Sequence, residues 1–508
     1  MQKESPSKAK SRFFYNSHVF YIYQQLNKSE KYKFLSVWNF DSKSRLSDTL
    51  FIMQNVFLKD FGGNPSTSTT EIFDNTKAFG EALTFLKQKG GGILNISKGI
   101  WKTGPIDLFS DITLNLKEGA VISFIPDEDL YKPVYTRWEG VDCYAMHPCI
   151  FADGQKNIKI TGKGKIDGNG QLWWEKRLDY KANNQTEPET NTQLMFAKLN
   201  PDYKTQPGGG GGRDIQFLRP PLIQFYKCEN CSIKDVTVCN SPFWTIHPVY
   251  CKNIELSSLT VENPAENAPN TDGIDIDSCF DVTVKNCTIN VGDDAIVIKS
   301  GAGASGIKAA VPCRNVKISD CTVHSGHGGI VLGSETAAGI SSILAENCVF
   351  DGTDRGIRIK TRRNRGGFLH DLTFSNLTIK NCLCPLAINM YYVCGANPDD
   401  PFLFSTEKQN ATDVTPSIKD VTVKSVKATG CKASAGFIAG LPESPLENLK
   451  ISDCYFETDE TSQKSPDYSD MFAGIPSVSE KSFRIINSKN LSIERTEIKG
   501  PKQKFLYK

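Results

Sequence analysis

Six aspartates lie within the stretch NTDGIDIDSCFDVTVKNCTINVGDDAIVIKSG, which runs from Asn270 to Gly301. They are Asp272, Asp275, Asp277, Asp281, Asp293 and Asp294. Carboxylates held close together repel one another, so at least one of them keeps its proton near neutral pH. A protonated carboxyl group beside ionised partners can cleave a glycosidic bond, because one group protonates the leaving oxygen while another activates water. The stretch is therefore a candidate acid/base site.

The spacing of three of these aspartates suits a structure of stacked coils. Asp272 and Asp293 are 21 residues apart, close to the length of one short coil. Residues one coil apart lie on the same face, with backbones separated by about 4.8 Å. Asp294 adjoins Asp293, and neighbouring side chains of a regular strand point in opposite directions. Both aspartates can reach one site only if Gly292 bends the chain.

Basic residues follow at similar intervals. His327 comes 34 residues after Asp293, and Arg358 comes 31 residues after His327, which again corresponds to one coil each. Arg358 and Lys360 alternate with isoleucines, so both cations project from one face of a strand. A planar guanidinium beside an ammonium group suits the carboxylate of a sugar acid. The sequence therefore predicts an anion-binding surface next to the aspartates.

These residues must be positioned by a repeated element, and one short phrase does recur. It reads polar, apolar, any residue, apolar, two polar residues, then a small or apolar residue, as in NCSIKDV, DVTVKNC and NVKISDC. From Asn230 onward its copies begin 23 to 49 residues apart. Each copy is typical of a short alternating strand followed by a turn. Because most copies are not separated by long amphipathic helices or joined by two-residue hairpin turns, the pattern predicts an all-β parallel β-helix.

Cysteine occupies one position of this phrase. From the second copy to the ninth, the seventh residue is Val236, Leu259, Cys287, Cys321, Cys348, Leu377, Val426 and Cys454. Cysteine thus alternates with valine and leucine, which is the behaviour of a small buried apolar residue. The pattern favours free buried thiols over disulfides, and zinc-ligand spacing is lacking.

The chain divides into three kinds of segment. Residues 1–54 do not resemble the rest of the chain and are interpreted as an atypical N-terminal extension without a recognisable signal peptide. Residues 55–508 are predicted to form the β-helix, closed at its first coil by a capping helix whose apolar face carries Ala78, Ala82, Leu83 and Leu86. A polar insertion at about residues 179–213, ending in QPGGGGGR, has no strand pattern and is predicted to be a mobile loop.

Composition excludes several functions. The formal net charge is only +2, so no general affinity for nucleic acid or for membrane surfaces is expected. The sequence contains no apolar run of about 18 residues, which a bilayer-spanning helix would need. Hydrophobic residues make up 39% of the chain, which is enough for a substantial core.

Three of the six aspartates have simpler explanations. Asp275 and Asp277 alternate with Ile274 and Ile276, so the isoleucines are expected to face the core and the aspartates the solvent. A supporting position behind the site stays open for Asp275. Asp281 begins a copy of the repeated phrase and is interpreted as a turn residue.

Four motifs then occur in a characteristic order: NTDG at Asn270–Gly273, GDD at Gly292–Asp294, GHG at Gly326–Gly328 and RIK at Arg358–Lys360. In this order they resemble glycoside hydrolase family 28, the polygalacturonase-like enzymes, over about residues 57–508. The resemblance implies a single-stranded right-handed parallel β-helix and an inverting hydrolase of α-1,4-linked galacturonate. It also implies a pectic polysaccharide or oligogalacturonide as substrate, no metal or other cofactor, and a secreted or periplasmic location.

The resemblance also implies roles for single residues. Asp293 would be the general acid, while Asp272 and Asp294 would position and activate water. His327 would tune the acid, and Arg358 and Lys360 would bind the substrate carboxylate. The further residues expected to bind substrate are Asn270 of NTDG and one of two adjacent tyrosines, Tyr391 or Tyr392.

The segments YTRWEGVDCYAMHPCIFADG and NSPFWTIHPVYC are similar to bacterial exo-acting members of the family. Loops that block one end of a groove restrict cleavage to the chain terminus, and Trp138, Trp244 and His247 are expected to line that closed end. An endo-polygalacturonase and a rhamnogalacturonan hydrolase stay open as alternatives. Two other classes are a calcium-dependent pectate lyase, since aspartate pairs bind Ca²⁺, and a β-helical glycan-binding protein without activity.

Overall fold

A computed structural model describes residues 54–66 and 73–507, which belong to one compact unit. The predicted N-terminal extension, residues 1–54, lies outside the described residues apart from Gln54, which begins the first strand. Within the described residues, no helix combines the length and the apolar character that crossing a membrane requires.

The chain winds into stacked coils whose strands pair in parallel, as the repeated phrase predicts. One sheet of twelve strands runs along the molecule, and its inward side chains form apolar ladders. In one ladder Ile274, Ile296, Ile330, Ile357 and Leu386 succeed each other on consecutive coils, and all five are buried. The twelve strands are Ile106–Asp107, Ile150–Asp153, Ile223–Tyr226, Ile246–Val249, Ile274–Asp277, Asp294–Lys299, Gly328–Gly333, Arg355–Lys360, Cys384–Asn389, Gly436–Ala439, Phe483–Ile486 and Phe505–Tyr507.

The remaining faces of the coils form one sheet of 24 strands. Two of its strands, Phe368–Lys380 and Ser417–Cys431, are long enough to turn a corner of the coil and to pair on both sides of it. The other strands are Gln54–Phe57, Gly92–Ile96, Gly99–Thr103, Ile112–Leu116, Ala120–Phe124, Lys159–Gly162, Lys165–Asp167, Glu229–Lys234, Thr237–Cys239, Lys252–Ser257, Thr260–Glu262, Phe280–Lys285, Thr288–Asn290, Cys313–Ser319, Thr322–Ser325, Ile340–Glu346, Val349–Asp351, Leu446–Ser452, Tyr455–Thr458, Ser488–Lys489, Ser492–Glu494 and Glu497–Lys499.

The first residue of the repeated phrase has a structural reason. Asn230, Asn253, Asp281 and Asn315 all adopt left-handed backbone conformations with φ between 56° and 58°. Asparagine and aspartate tolerate this conformation better than other non-glycine residues. Their side chains also bond from coil to coil, since Asn253 Nδ2 donates to Asn230 Oδ1 over 2.8 Å. The prediction of a turn residue at Asp281 is wrong: Asp281 lies within the strand Phe280–Lys285, at a left-handed position that interrupts the pairing.

The cysteines behave as the repeat predicts. All sixteen are free thiols, and every one except the half-exposed Cys394 is buried. Cys287, Cys321, Cys348 and Cys454 are each 1–4% exposed, like the valines and leucines that share their repeat position. The interpretation of these residues as stacked apolar side chains is confirmed.

Four α-helices occur in the described part of the chain: α1 at Thr76–Gln88, α2 at Gln171–Ala182, α3 at Asn191–Leu199 and α4 at Gly303–Ala309. Short 3₁₀ helices lie at Leu58–Phe61, Glu128–Leu130, Tyr203–Thr205 and Pro466–Ser469. Helix α1 lies where the sequence predicts it and buries Ala78, Ala82, Leu83 and Leu86. Its role as a cap stays a prediction.

The prediction of a loop at residues 179–213 is wrong for part of the segment, which is helical. No strand lies among these residues, but α2 ends in the segment and α3 lies within it. Helix α3 begins with a capping box in which Gln193 N donates to Thr190 Oγ1 and Thr190 N donates to Gln193 Oε1, over 3.2 and 3.0 Å. Phe196 on this helix is fully buried, which anchors the segment.

The expected solvent exposure of Asp275 and Asp277 is also wrong. Both side chains point away from the coil interior, as alternation requires, yet both are 0% exposed because other segments cover them. An antiparallel hairpin, Pro133–Trp138 with Val141–Met146, supplies the cover over Asp277. Arg137 of this hairpin donates from Nη1 to Asp277 Oδ1 over 2.8 Å, and neither side chain has solvent contact.

We expect Arg137→Ala to lower the free energy of unfolding by about 3–5 kcal/mol, because the change leaves Asp277 buried and unpaired. Burial alone would raise the pKa of Asp277, but Arg137 and His247 bring it below the usual value. A depressed carboxyl pKa stabilises the fold above the unfolded pKa of about 4, and this contribution is lost as the pH falls. Denaturant unfolding at pH 7 and at pH 3 measures it, and an equal loss at both pH values would contradict the pairing.

Candidate active site

Three aspartates meet on the outer surface of the twelve-stranded sheet. Asp272 precedes the strand Ile274–Asp277, while Asp293 and Asp294 lie where the chain bends into the next strand, Asp294–Lys299. One carboxylate oxygen from each of the three lies within 4.8 Å of the others. The predicted bend is present at Gly292, where a Cβ atom would lie 2.6 Å from the carbonyl oxygen of Pro264. The coil spacing and the bend therefore bring together the three aspartates that the sequence singled out.

His327 reaches the site from the following coil. Its Nδ1 lies 3.0 Å from Asp293 Oδ1, and its backbone N–H donates to the Asp293 carbonyl over 2.8 Å. Gly326 permits this approach, because a Cβ atom there would lie 2.7 Å from the same carbonyl. Asp293 is the partly exposed member of the trio, with a side chain 23% exposed, and His327 is 47% exposed. This pair faces the solvent side of the site.

Arg358 and Lys360 project from the next strand onto Asp294, as the alternation with isoleucine predicts. Lys360 Nζ donates to Asp294 Oδ2 over 2.5 Å, and Arg358 Nη1 donates to Asp294 Oδ1 over 3.2 Å. Arg358 also donates to Asp470 Oδ1, from Nη2 over 2.7 Å and from Nε over 3.1 Å. Both cations are therefore already engaged with carboxylates, which the sequence did not indicate.

The electrostatics divide the aspartates. Burial raises the pKa of Asp272 well above its usual value, and the negative charges of Asp293 and Asp275 add to the effect. Burial alone would also raise the pKa of Asp294, but Lys360 and Arg358 bring it below the usual value. One carboxyl group with a raised pKa is what crowding predicts. That group is Asp272, whereas the sequence-based expectation was that the proton donor would be Asp293.

Asp293 has the opposite shift for a local reason. Loss of water contact would raise its pKa, but the charge of His327 and its hydrogen bond lower the pKa below the usual value. The Asp293 carboxylate in turn raises the pKa of His327. These opposite shifts favour an imidazolium beside a carboxylate across the 3.0 Å contact.

A further charged group, absent from the sequence-based prediction, lies beneath Asp272. Lys299 Nζ is 3.1 Å from Glu335 Oε2, 3.4 Å from Asp275 Oδ1 and 3.9 Å from Asp272 Oδ2. The same nitrogen lies 4.1 Å from the centre of the Trp244 ring. Asp275 therefore does lie behind the site, in the supporting position that the sequence left open for it. The pattern IVIKSG carries a signal for Lys299, since this residue alternates with Ile296 and Ile298 and shares the outward face with Val297.

The cavity beside the site has a volume of about 300 Å³ and is lined by the three aspartates together with His327, Arg358, Lys360 and Lys299. Tyr392 lines it with its ring centre 5.1 Å from Lys360 Nζ, whereas Tyr391 is fully buried beside Arg363, so Tyr392 is the site tyrosine. Asn270 also lines it and accepts a hydrogen bond at Oδ1 from Arg219 over 2.7 Å.

Of the three residues expected at the closed end, Trp244 alone lines this cavity. The expectation for His247 is wrong, because its ring is fully buried behind Trp244, at 4.8 Å between ring centres, and lies 3.8 Å from Asp277. The expectation for Trp138 is also wrong. It is fully buried, stacks on Phe243 at 4.6 Å and donates its indole N–H to the Arg219 carbonyl.

The insertion forms one wall of the cavity. Arg177, Leu178 and Lys181 of α2 line it together with Gly209 and Gly210. The glycine run is held by Glu139, whose carboxylate accepts hydrogen bonds from the N–H groups of Gly209 and Gly211 over 3.2 and 2.7 Å. A side chain at 211 would collide with this carboxylate, at 2.5 Å, so glycine is required there. The segment QPGGGGGR thus contributes Gly209 and Gly210 to the cavity wall.

Three carboxylates this close could also hold a cation. Their surroundings do not suit one, because basic groups already face each of them. Lys360 and Arg358 contact Asp294, His327 contacts Asp293, and Lys299 lies near Asp272. A divalent cation would have to enter beside these positive charges, so the residues present fit proton chemistry better than calcium binding.

Proteins of known family are similar to this chain. A relative from Vitis vinifera, a probable polygalacturonase, is 30% identical over 420 residues, which cover 80% of this chain and 75% of the relative. An exo-poly-alpha-D-galacturonosidase from Dickeya chrysanthemi is 29% identical over 359 residues, and the match spans 67% of this chain but only 58% of that protein.

Among solved structures, the hyperthermoactive exopolygalacturonase of Thermotoga maritima aligns with a TM-score of 0.71 and 30% identity. The alignment covers 88% of this chain and 92% of that one, so the fold is a right-handed parallel β-helix. The family model for glycosyl hydrolases family 28 matches residues 212–470, just over half of the chain. This chain belongs to glycosyl hydrolases family 28 and is a glycoside hydrolase.

Proposed function

We propose that the protein hydrolyses α-1,4-galacturonosyl linkages of polygalacturonate and acts from a chain end. The observation that carries the proposal is the meeting of three carboxylates within 4.8 Å beside a cavity lined by Arg358, Lys360, Lys299 and Lys181. Carboxylates supply the acid and the base that hydrolysis needs, and the cationic side chains in the cavity lining suit a polymer that carries one carboxylate on each sugar.

In this mechanism Asp293 protonates the leaving glycosidic oxygen, because it is the most exposed of the three aspartates and contacts His327. The proton shared by the Asp293–His327 pair supplies the acid. Asp272 and Asp294, which line the cavity, hold and deprotonate the attacking water. Tyr392, Arg358 and Lys360 then contact the sugar that is being cleaved. Water adds to the anomeric carbon as the bond to the leaving oxygen breaks, so no external cofactor is consumed.

A second assignment of the acid has one observation in its favour. Burial raises the pKa of Asp272, which favours its protonated form, whereas His327 lowers the pKa of Asp293. In that assignment Asp272 protonates the leaving oxygen and Asp293 activates water. The two assignments predict different activities for Asp293→Asn and Asp272→Asn on a substrate with an activated leaving group.

Inversion at the anomeric carbon is proposed on the family resemblance. The shortest separations here, within 4.8 Å, are smaller than the roughly 6.5–9.5 Å that is usual between the carboxyl groups of inverting glycosidases. Proton NMR of the first product formed distinguishes the outcomes, because inversion gives the β-anomer and retention the α-anomer.

The wall that α2 and the glycine run build at the cavity supports the proposal of exo action. Product profiling on polygalacturonate tests it, since an exo-acting enzyme releases one short product from the start and an endo-acting enzyme releases a mixture. Rhamnogalacturonan is the comparison substrate. Unsaturated products and loss of activity with EDTA would favour a lyase instead, and binding without release of reducing sugar would favour a glycan-binding protein. We propose a secreted or periplasmic location, where a pectic polymer is accessible.

We expect Lys181→Gln to raise the KM for trigalacturonate about tenfold while leaving kcat within about twofold. Lys181 is exposed and lines the cavity wall, and no carboxylate among residues 54–66 and 73–507 pairs with it, so its charge is free to meet a terminal uronate. Loss of one charge contact of this kind costs about 1.4 kcal/mol, a factor of ten. Lys176→Gln is the matched control, since Lys176 lies on the same helix but pairs with Glu128. Equal effects of both changes would contradict a terminal contact.

A further inference from the structure

We propose that Lys299 is a positioning residue whose buried ammonium group holds Asp272 in place and opposes its protonation, so that Asp272 can activate water. The inference rests on the proposed hydrolytic function and adds to it a residue outside the four sequence motifs. It also assigns an opposing role to Glu335, which competes with Asp272 for the same ammonium group.

Lys299 lies at the wall of the cavity and is almost completely enclosed by its neighbours. It is the last residue of the strand Asp294–Lys299, and its side chain is 4% exposed. Three carboxylates approach its nitrogen: Glu335 at 3.1 Å, Asp275 at 3.4 Å and Asp272 at 3.9 Å. The Trp244 ring covers the same nitrogen at 4.1 Å. An ammonium group enclosed on these sides has little freedom to move.

Several carboxylates surround the single ammonium group of Lys299, so the position of this group decides which carboxylate it stabilises most. Asp272, Asp275, Asp294 and Glu335 all act on it electrostatically, and His247 and Arg137 lie behind them around Asp277. Both oxygens of Asp275 lack a hydrogen-bond partner among the described residues, and burial raises its pKa, which disfavours its charged form. The ammonium charge is therefore divided between Glu335 and Asp272.

Glu335 is the stronger partner. Its contact with Lys299 is a 3.1 Å hydrogen bond, and Arg365 approaches it at 4.0 Å from another segment. Burial would raise the pKa of Glu335, but Lys299, Arg365 and Lys360 lower it to about 2, so the group is ionised throughout the working range. Glu335 thus draws the ammonium group about 0.8 Å closer to itself than to Asp272, the difference between 3.1 and 3.9 Å. Removing Glu335 frees the lysine for Asp272.

The test compares the acidic limb of kcat/KM, which reports ionisation of the water-activating carboxylate in the free enzyme. In Lys299→Met the limb is expected to move to higher pH by about 1 unit or more, because Asp272 loses the cation that lowers its pKa. In Glu335→Gln it is expected to move to lower pH, because Lys299 then serves Asp272 alone. Lys285→Met is the matched control: Lys285 also ends its strand, but it is half-exposed, pairs with Glu255 and should leave the profile unchanged.

Opposite shifts in the two variants support the inference, since a merely structural role would lower kcat/KM without moving the limb. Limbs that stay in place, or that both move the same way, overturn it. If circular dichroism shows that Lys299→Met does not fold, the downward shift in Glu335→Gln and the preserved limb in Lys299→Arg decide the question alone. A wild-type protein that releases no reducing sugar from polygalacturonate would instead refute the proposed function, so the two failures are separable.

Discussion

Replacing Asp293 with asparagine is expected to lower kcat on polygalacturonate by about two to four orders of magnitude, the usual contribution of a general acid. Asparagine keeps the shape of the side chain and the bond to Asp294 N–H, which Asp293 Oδ1 accepts over 3.0 Å. Binding should therefore change little, and the loss should appear in kcat. Reducing-sugar release under saturating substrate measures it. Turnover equal to that of the wild type would refute any role of Asp293 in proton transfer.

The same variant separates the two assignments of the acid. An aryl α-galacturonide with a nitrophenolate leaving group departs without protonation, so loss of the general acid costs little on this substrate. If Asp293 is the acid, Asp293→Asn keeps most of its activity on the aryl substrate, while Asp272→Asn loses activity on both substrates. The reverse pattern would make Asp272 the acid, in keeping with its raised pKa. His327→Gln should resemble Asp293→Asn in milder form, because it removes the partner that shares the proton.

Much of the fold could be read from the sequence, because a β-helix converts spacing into position. Each coil stacks in register on the one before, so residues such as Asp272 and Asp293, one coil apart in sequence, must lie close in space. Alternation then decides which side chains face outward, and it places Arg358 and Lys360 correctly on one face. The repeated phrase also predicted the buried cysteines, since one strand position faces the core in every coil.

The surroundings of these residues could not be predicted in the same way. Alternation says that Asp275 and Asp277 point outward, but not that other segments cover them and make them buried. Asp470 lies 112 residues after Arg358, on a loop whose path no periodicity encodes, yet it binds that guanidinium. The pKa order of the aspartates depends on such neighbours. Motif order assigns Asp293 as the acid. Its pKa is lowered, because it contacts His327.

The insertion shows the same limit in another form. Its polar composition and glycine run suggested mobility, whereas capping by Thr190 and Gln193 and the grip of Glu139 on Gly209 and Gly211 hold it as a wall. The capping signal T-x-x-Q was present in the sequence at residues 190–193 and could have indicated α3. The hydrogen bonds that Glu139 accepts from the glycine run could not have been found this way, because they join residues about 70 positions apart.

Lys360→Ala is expected to lower kcat/KM on polygalacturonate about thirtyfold or more and to move the acidic limb of the pH profile upward. Removing one member of a buried charge pair costs about 2 kcal/mol or more, which corresponds to that factor. The sequence alone predicts that Lys360 only binds the substrate carboxylate, so that its loss leaves the acidic limb of the pH profile in place. In the structure Lys360 also lies 2.5 Å from Asp294, which is 1% exposed.

The sign of the shift follows from that contact. Burial raises the pKa of Asp294, while Lys360 and Arg358 lower it below the usual value. Without Lys360 the pKa rises, so the ionised form that activates water is lost at a higher pH and the acidic limb moves up. Lys360→Arg is the control, because it keeps the positive charge and should keep the limb while still raising KM through its different shape. A limb unmoved in Lys360→Ala despite a large rise in KM would mean that Arg358 alone keeps Asp294 ionised, and that Lys360 acts on the substrate and not on the base.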